Sequence, residues 1–244
     1  MSGPRRVALQ PAFLLHHRDY SDSSRIVELF TRGHGRISLF AKGAKRPKSP
    51  FRPLLQPFIP LLVSWSGSID GGQLTGAELA GEAVPVPAQR LMSGFYLNEL
   101  LLRLTPRGEP VQDVFDVYAL TLETLRRHEP EQVALRSFEK ELLGQLGYGL
   151  DLARDAESGE PLSADRYYHF IPGVGLRVAE QRGGATDPFR GSELIDLGLG
   201  RLESAETLRA AKRLLRSALE HCLEGRGLHS REVMRALRRM EGER

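Results

Sequence analysis

Residues 33–53 read Gly-His-Gly-Arg-Ile-Ser-Leu-Phe-Ala-Lys-Gly-Ala-Lys-Arg-Pro-Lys-Ser-Pro-Phe-Arg-Pro. Arg36 to Ala41 alternates in character after a Gly33-His34-Gly35 turn, where glycine tolerates positive φ, and so reads as a half-buried strand. The stretch that follows carries five cations, Lys42, Lys45, Arg46, Lys48 and Arg52, and no acid. A basic segment attached to a strand faces either a polyanion or water. Pro47, Pro50 and Pro53 recur every three residues, and the residue before each is steered toward extended backbone. The spacing predicts polyproline II, with prolines on one ridge, Arg46, Ser49 and Arg52 on the second, and Lys45, Lys48 and Phe51 on the third. Phe51 would then offer a base a stacking surface. A solvated loop, or a short Pro-x-x-Pro ligand for a recognition module, are the plainer alternatives.

Working outward, Val7 to Leu15 is a strand with Pro11 as a bulge or edge position. Asp19 to Ser24 is a turn cluster, and Arg25 to Thr31 alternates. Phe58 to Trp65 makes a fourth strand and Gly72 to Leu79 a weaker fifth, with Trp65 in the core. Five short strands in about 80 residues fit a closed barrel better than an open sheet, since closure removes exposed edges. The OB-fold is the standard five-stranded case and commonly binds single-stranded nucleic acid. Arg18, Arg25, Arg32 and Arg36 fall at or near strand ends and turns, where several would border one groove.

Residues 83–88, Ala-Val-Pro-Val-Pro-Ala, form a stiff linker, after which the period becomes helical. One helix carries a Leu91, Phe95, Asn98 and Leu102 stripe, thickened by Tyr96, Leu97, Leu100 and Leu101, and stops at Pro106 and Gly108. A second carries Val111, Val114, Phe115, Tyr118, Leu122 and Leu125. A third opens at Pro130, has Leu135, Phe138, Leu142 and Leu146 on its core face, and ends at Gly147-Tyr148-Gly149. Residues 150–190 read as a loop-rich insert with a β-hairpin. Ser204 caps a helix running to about Leu223, and a last helix starts near Ser230 and carries Arg235, Arg238 and Arg239. The expected fold class is α+β: an OB barrel over 1–82 and a mainly helical domain over 83–244.

The chain has 244 residues, enough for one large or two ordinary domains, and a 41% hydrophobic fraction that supports a packed core. Net charge is only +3, but residues 1–80 hold 11 Lys and Arg against 5 Asp and Glu, whereas the remainder holds 23 against 26. The basic part is the one that meets a polyanion. We find neither a membrane-length apolar run nor the apolar core of a signal peptide. The single cysteine, Cys222, leaves no internal disulfide and no Cys-pair zinc site, consistent with a reducing cytoplasm.

Catalytic signatures are scarce. Asp151, Asp155, Glu157 and Glu160 lack EF-hand spacing. His16 and His17 are adjacent, so on a strand their rings face opposite ways, and His221-Cys222 shares no helix face. Gly173-Val174-Gly175 lacks the third glycine of a dinucleotide site, no Walker A sequence occurs, and Lys42-Gly43-Ala44-Lys45 is not the nucleotidyl-transferase lysine motif. We expect no enzyme, no cofactor and no metal. On helix 130–146, Arg136 and Lys140 flank Leu143 beside the stripe ending at Leu146. An apolar spot rimmed by cations suits an acidic peptide with a hydrophobic end, against the plain alternative of an amphipathic boundary.

The order of several motifs resembles the bacterial RecO recombination-mediator family. These are His17 to Ser24, Val27 to Thr31, Gly35 to Ser38, Ala41 to Ala44, and Leu55 to Phe58. Later come Tyr96 to Leu101, Leu135 to Glu139 with Leu142-Leu143, Leu146 to Asp151, and His229 to Glu232. The resemblance implies an N-terminal OB-fold and a helical C-terminal domain. It implies binding of single- and double-stranded DNA, single-strand annealing, and capture of the acidic tail of single-strand-binding protein. With RecR it implies help in loading RecA, in the cytoplasm at the nucleoid. By position it points to Arg136 and Leu146 for the tail, with Lys140 and Leu143 added from helix geometry. Some members carry a four-cysteine zinc site after the Gly-Tyr-Gly element; here Arg154 and Glu157 stand in that region, so zinc is not expected. An interaction scaffold or an OB-type RNA-binding factor are the alternatives.

Overall fold

The computed structural model describes residues 6–127, 130–148, 150–179 and 187–242. Contacts group the chain into two compact units, Met1–Glu129 with Leu228–Arg244, and Pro130–Gly227. Among the described residues no helix is long and apolar enough to cross a membrane.

The first unit is built on five strands, β1 (Arg6–Asp19), β2 (Arg25–Thr31), β3 (Gly35–Ala41), β4 (Pro60–Ser66) and β5 (Asp70–Leu79). They close into a barrel in the order β1-β2-β3-β5-β4, with β1 returning to β4. Only β3 and β5 run parallel; this is the OB arrangement that the alternation predicts. β1 serves two neighbours because it is long: its first half pairs with β4 and its second with β2. The bend between Val7 and Gln10 is a bulge in which Leu9 takes φ 49°. The irregularity expected at Pro11 therefore lies two residues earlier, and Pro11 stays in register with Leu62. Leu14, Val27, Leu29, Ile37, Leu39 and Trp65 fill the interior, each no more than 1% exposed. Burial of each such side chain contributes roughly 1.5–3 kcal/mol.

The basic segment is not polyproline II. That conformation has no internal hydrogen bonds, whereas here Arg46 N donates to Gly43 O, Ser49 N to Arg46 O and Arg52 N to Ser49 O, at 3.1, 3.0 and 3.3 Å. The three-residue period is a chain of tight turns. Pro47 and Pro50 occupy the second position of successive turns, where a fixed φ near −65° is favoured. Ala44 and Leu55 sink into the barrel core, and Phe51 and Leu54 pack against it. Phe51 is thus a core-side residue rather than the expected base platform, because the turns roll it inward.

Three helices complete this unit: α1 (Leu91–Leu104), α2 (Gln112–Arg126) and α6 (His229–Gly242). The side chains of Arg235 and Arg238 lie outside the described residues. Phe13 and Phe30 point outward from the barrel onto Phe115 and Tyr118 of α2, with ring centroids 5.1–6.1 Å apart. Tyr118 Oη donates to Asn98 Oδ1 at 2.5 Å, and Asn98 Nδ2 to Leu15 O at 3.0 Å, so one buried relay joins α2, α1 and β1. α1 is rolled toward the thickened side of the expected stripe: Gly94, Tyr96, Leu97, Asn98, Leu100 and Leu101 are buried, while Phe95 is 42% exposed. Gly94 sets this roll, since a Cβ there would lie 2.7 Å from the Phe58 ring. The 83–88 segment is tied down as well, Arg126 donating to Val84 O at 2.9 Å and to Phe58 O. The 82/83 boundary marks where strands give way to helices, not where contacts thin out.

The second unit holds α3 (Glu131–Leu143), a small sheet of β6 (Tyr167–Ile171), β7 (Gly175–Val178) and β8 (Phe189–Arg190), then α4 (Gly191–Gly198) and α5 (Ala205–Cys222). The hairpin expected in the insert is β6–β7. Ser204 Oγ accepts from Thr207 N at 3.0 Å, the expected cap of α5. After α3 a wide turn ends at Gly147, whose φ of 78° breaks the helix; Gly149 lies outside the described residues.

Candidate nucleic-acid interface

The nine cations expected to meet a polyanion fall into two groups. Arg18, Lys42, Arg46, Lys48 and Arg52 are exposed, and their side chains make no hydrogen bond or ion pair among the described residues. The other four have structural partners. Lys45 Nζ lies 2.7 Å from Asp19 Oδ2 and 3.2 Å from Ser21 O, and Arg25 Nε is 3.4 Å from Asp19 Oδ1. Arg32 grips Asp116 of α2 through two bonds of 2.8 and 2.9 Å. Arg36 donates twice to Thr105 O, at 3.2 and 2.9 Å, and faces Glu28. The Lys45 ammonium, then Arg25, holds the Asp19 carboxyl below its usual range, and Arg32 does the same for Asp116. Burial lowers the Arg36 guanidinium from its ordinary value. These four would have to leave an existing partner to meet a phosphate. Arg36 is also partly buried and fastens β3 to the end of α1.

This division places the open charge at one end of the barrel. Lys42, Arg46, Lys48 and Arg52 ride on the turns after β3, and Arg18 stands near the end of β1. Farther along the β2–β3 outer face, Glu28 and Asp70 are bridged by Arg107 from the α1–α2 connection, with Arg36 beside Glu28. That cluster is balanced and offers phosphate little attraction. The rings of His16 and His17, in consecutive register with Glu28 and Val27, are 6.4 Å apart at 28°. Burial, then Arg25 and His16, lowers the His17 pKa.

On α3 the expected peptide spot is largely internal. Leu143 is fully buried, and Lys140 Nζ donates to Leu197 O and Gly198 O, at 3.1 and 2.6 Å, capping α4. Arg136 is 6% exposed and pairs with Glu139 at 2.8 Å. Lys140 and, beyond the helix end, Leu146 are half-buried. The buried arc of α3 is wider than its leucine stripe, taking in Arg136 and Glu139 as well. A nearby cleft of about 500 Å³ has apolar walls including Tyr148, Phe170, Val174 and Leu176, with Arg154 and His221 among its polar lining. No spacing signal in the sequence brings these residues together.

In the cysteine-free insert, Asp155 is the organising residue. It is 4% exposed and accepts from Glu157 N, Ser158 N, Ser158 Oγ and Val178 N at 2.7–3.1 Å. The Ser158 bonds lead in holding its carboxyl below the usual range. A carboxylate so occupied, with no thiolate beside it, does not fit a zinc site.

Two quoted motifs meet each other. Glu99 of the Tyr96–Leu101 stretch accepts from His229 N and Ser230 N, each at 2.9 Å, and from Ser230 Oγ at 2.6 Å. It thereby caps α6 from a neighbouring helix. Arg231 lies 5.4 Å from the Tyr96 ring centre. Desolvation raises the Glu99 pKa, but the Ser230 and His229 bonds outweigh it and the net shift is downward.

A closed five-stranded barrel of this topology, with cations at one end that have no partner among the described residues, defines an OB-fold protein, a fold class that includes single-strand binders. The models for recombination protein O, N terminal and C terminal, match residues 6–82 and 88–232, and the chain belongs to the RecO family. It is 46% identical over 233 residues to the DNA repair protein RecO of Methylococcus capsulatus, covering 96% of this chain and 95% of that one. It is 44% identical to the protein of that name from Nitrosococcus oceani, covering 96% of each, and 40% identical to that of an Azoarcus species, covering 97% and 99%.

Proposed function

We propose that this chain is a non-enzymatic DNA repair protein that binds single- and double-stranded DNA and anneals complementary strands. The observation that carries this reading is the group of cations Arg18, Lys42, Arg46, Lys48 and Arg52 at one end of the OB barrel, which have no partner among the described residues. They neutralise phosphates on two strands and reduce the repulsion between them. Base pairing then drives annealing, and no nucleotide needs to be hydrolysed. Family membership supports the further steps: with RecR, the protein helps load RecA onto single strands coated by single-strand-binding protein, in the bacterial cytoplasm at the nucleoid.

For the acidic tail of single-strand-binding protein, we favour the cleft near Leu146 over the buried face of α3. Its apolar walls accept a hydrophobic chain end, and Arg154 and His221 stand among its polar lining. The test of the main reading is annealing of labelled complementary oligonucleotides without ATP, run with DNA and with RNA. Faster DNA annealing is expected. No acceleration would reduce the protein to an interaction scaffold, and faster RNA annealing would make it an RNA factor.

A further inference from the structure

We propose that Tyr20 and Phe40 form a stacking platform for an unpaired nucleobase at the cationic end of the barrel. The inference rests on the DNA reading above and deepens it, by naming the part of the strand that is held. Tyr20, on the β1–β2 turn, is 63% exposed, so its ring is open to solvent. Its ring meets Phe40 at 4.9 Å and 68°, an edge-to-face contact that fixes its direction.

Both rings are held from below. Leu39 and Ala41 are fully buried, so the strand alternation turns Phe40 outward, where its Cε2 lies 3.8 Å from the Cβ position of Gly71. Tyr20 sits on a turn closed by its own N–H to Ser24 O at 3.1 Å. That turn is joined to the basic segment: Gly43 N donates to Ser24 Oγ at 3.3 Å, Lys45 N to Ser23 O at 3.0 Å, and the Lys45 ammonium bridges Ser21 O and Asp19. The paired lysine thus positions the platform while its unpaired neighbours face solvent.

The surroundings select the occupant. Arg18 pairs across the sheet with Ile26, Ile26 with Phe40, and Phe40 with Gln73, so all four share the outer face. Lys42 is two residues beyond Phe40, on the first residue of the turn that follows β3. Arg18 and Lys42 are both free of partners among the described residues, and each is two residues along the chain from one of the rings, Arg18 from Tyr20 and Lys42 from Phe40. A ring flanked by unpaired cations matches the alternation of base and phosphate along a single strand. In a duplex both faces of each base are already covered, so the platform acts only on single strands.

The test uses the full chain and fluorescently labelled oligothymidylate, compared with an abasic strand of equal length and charge and with a duplex. One stacked base predicts roughly fivefold to 150-fold tighter binding of the base-bearing strand. Tyr20→Ala should erase that preference while leaving the salt slope and duplex affinity unchanged. Tyr20→Trp should retain it, and thermal melting would confirm that both variants fold. Equal affinity of the unaltered protein for base-bearing and abasic strands, or a preference that survives Tyr20→Ala, overturns the platform while the cation site stands. If the unaltered protein binds no strand at all, the DNA reading and the platform fall together.

Discussion

Replacing Arg46, Lys48 and Arg52 together with alanine removes three of the five unpaired cations without touching the Lys45 clamp on Asp19. On single strands each neutralised phosphate adds about −0.7 to the log–log dependence of affinity on salt. Five contacts correspond to a slope of about −3.5, and the triple variant to about −1.4. Between 50 and 200 mM salt, the unaltered protein should lose affinity about 130-fold and the variant only about sevenfold. Fluorescence anisotropy titrations of a labelled oligonucleotide at four salt concentrations measure both slopes. A second triple, Arg25, Arg32 and Lys45 to alanine, serves as contrast, since these cations already face Asp19 and Asp116. It should leave the slope near that of the unaltered protein. Equal slopes for the unaltered protein and the first triple, or a larger flattening from the second, would refute the division into free and paired cations.

Three further outcomes follow from the interior. Glu99→Gln removes a charged acceptor from the first turn of α6; it should cost about 1–2 kcal/mol, lower the melting temperature by a few degrees, and speed amide exchange in His229–Gly242. Asp155→Asn keeps the shape of the insert turn but weakens four hydrogen bonds, at about 1–3 kcal/mol. Because the folded-state pKa of Asp155 is lowered, its stabilisation is complete above the ordinary carboxylate value and is lost as pH falls through the lowered one. Acid melting of the unaltered protein should therefore steepen below about pH 4, and the Asn variant should lack that component. Leu143→Ala opens a core cavity and should cost about 2–5 kcal/mol by denaturant unfolding, whereas a surface peptide contact at that position would leave stability nearly unchanged.

The barrel was legible because strand alternation is a local signal: the inward set of Val27, Leu29, Ile37 and Leu39 can be read two residues at a time. The basic turns were not, because a proline every third residue fits both polyproline II and successive turns. Burial of Ala44 and Leu55 decides between them, and that is a tertiary fact. Likewise Arg32 looks free in sequence because its partner, Asp116, is 84 residues away, and the Arg36 acceptor, Thr105 O, is 69 away. α4 escaped notice because it is eight residues long, and with it went the capping role of Lys140. Tyr20 was hidden in a polar turn cluster. Only the outward parity of Phe40 on β3 could have marked the pair.

The most direct test of the cationic end is lysine reactivity read by mass spectrometry, with and without a saturating single-stranded oligonucleotide. Lys42 and Lys48, exposed and unpaired, should be strongly protected from acetylation by the strand, while Lys140, held by the carbonyls at the end of α4, should not change. Unchanged reactivity of Lys42 and Lys48 under saturating DNA would contradict the account.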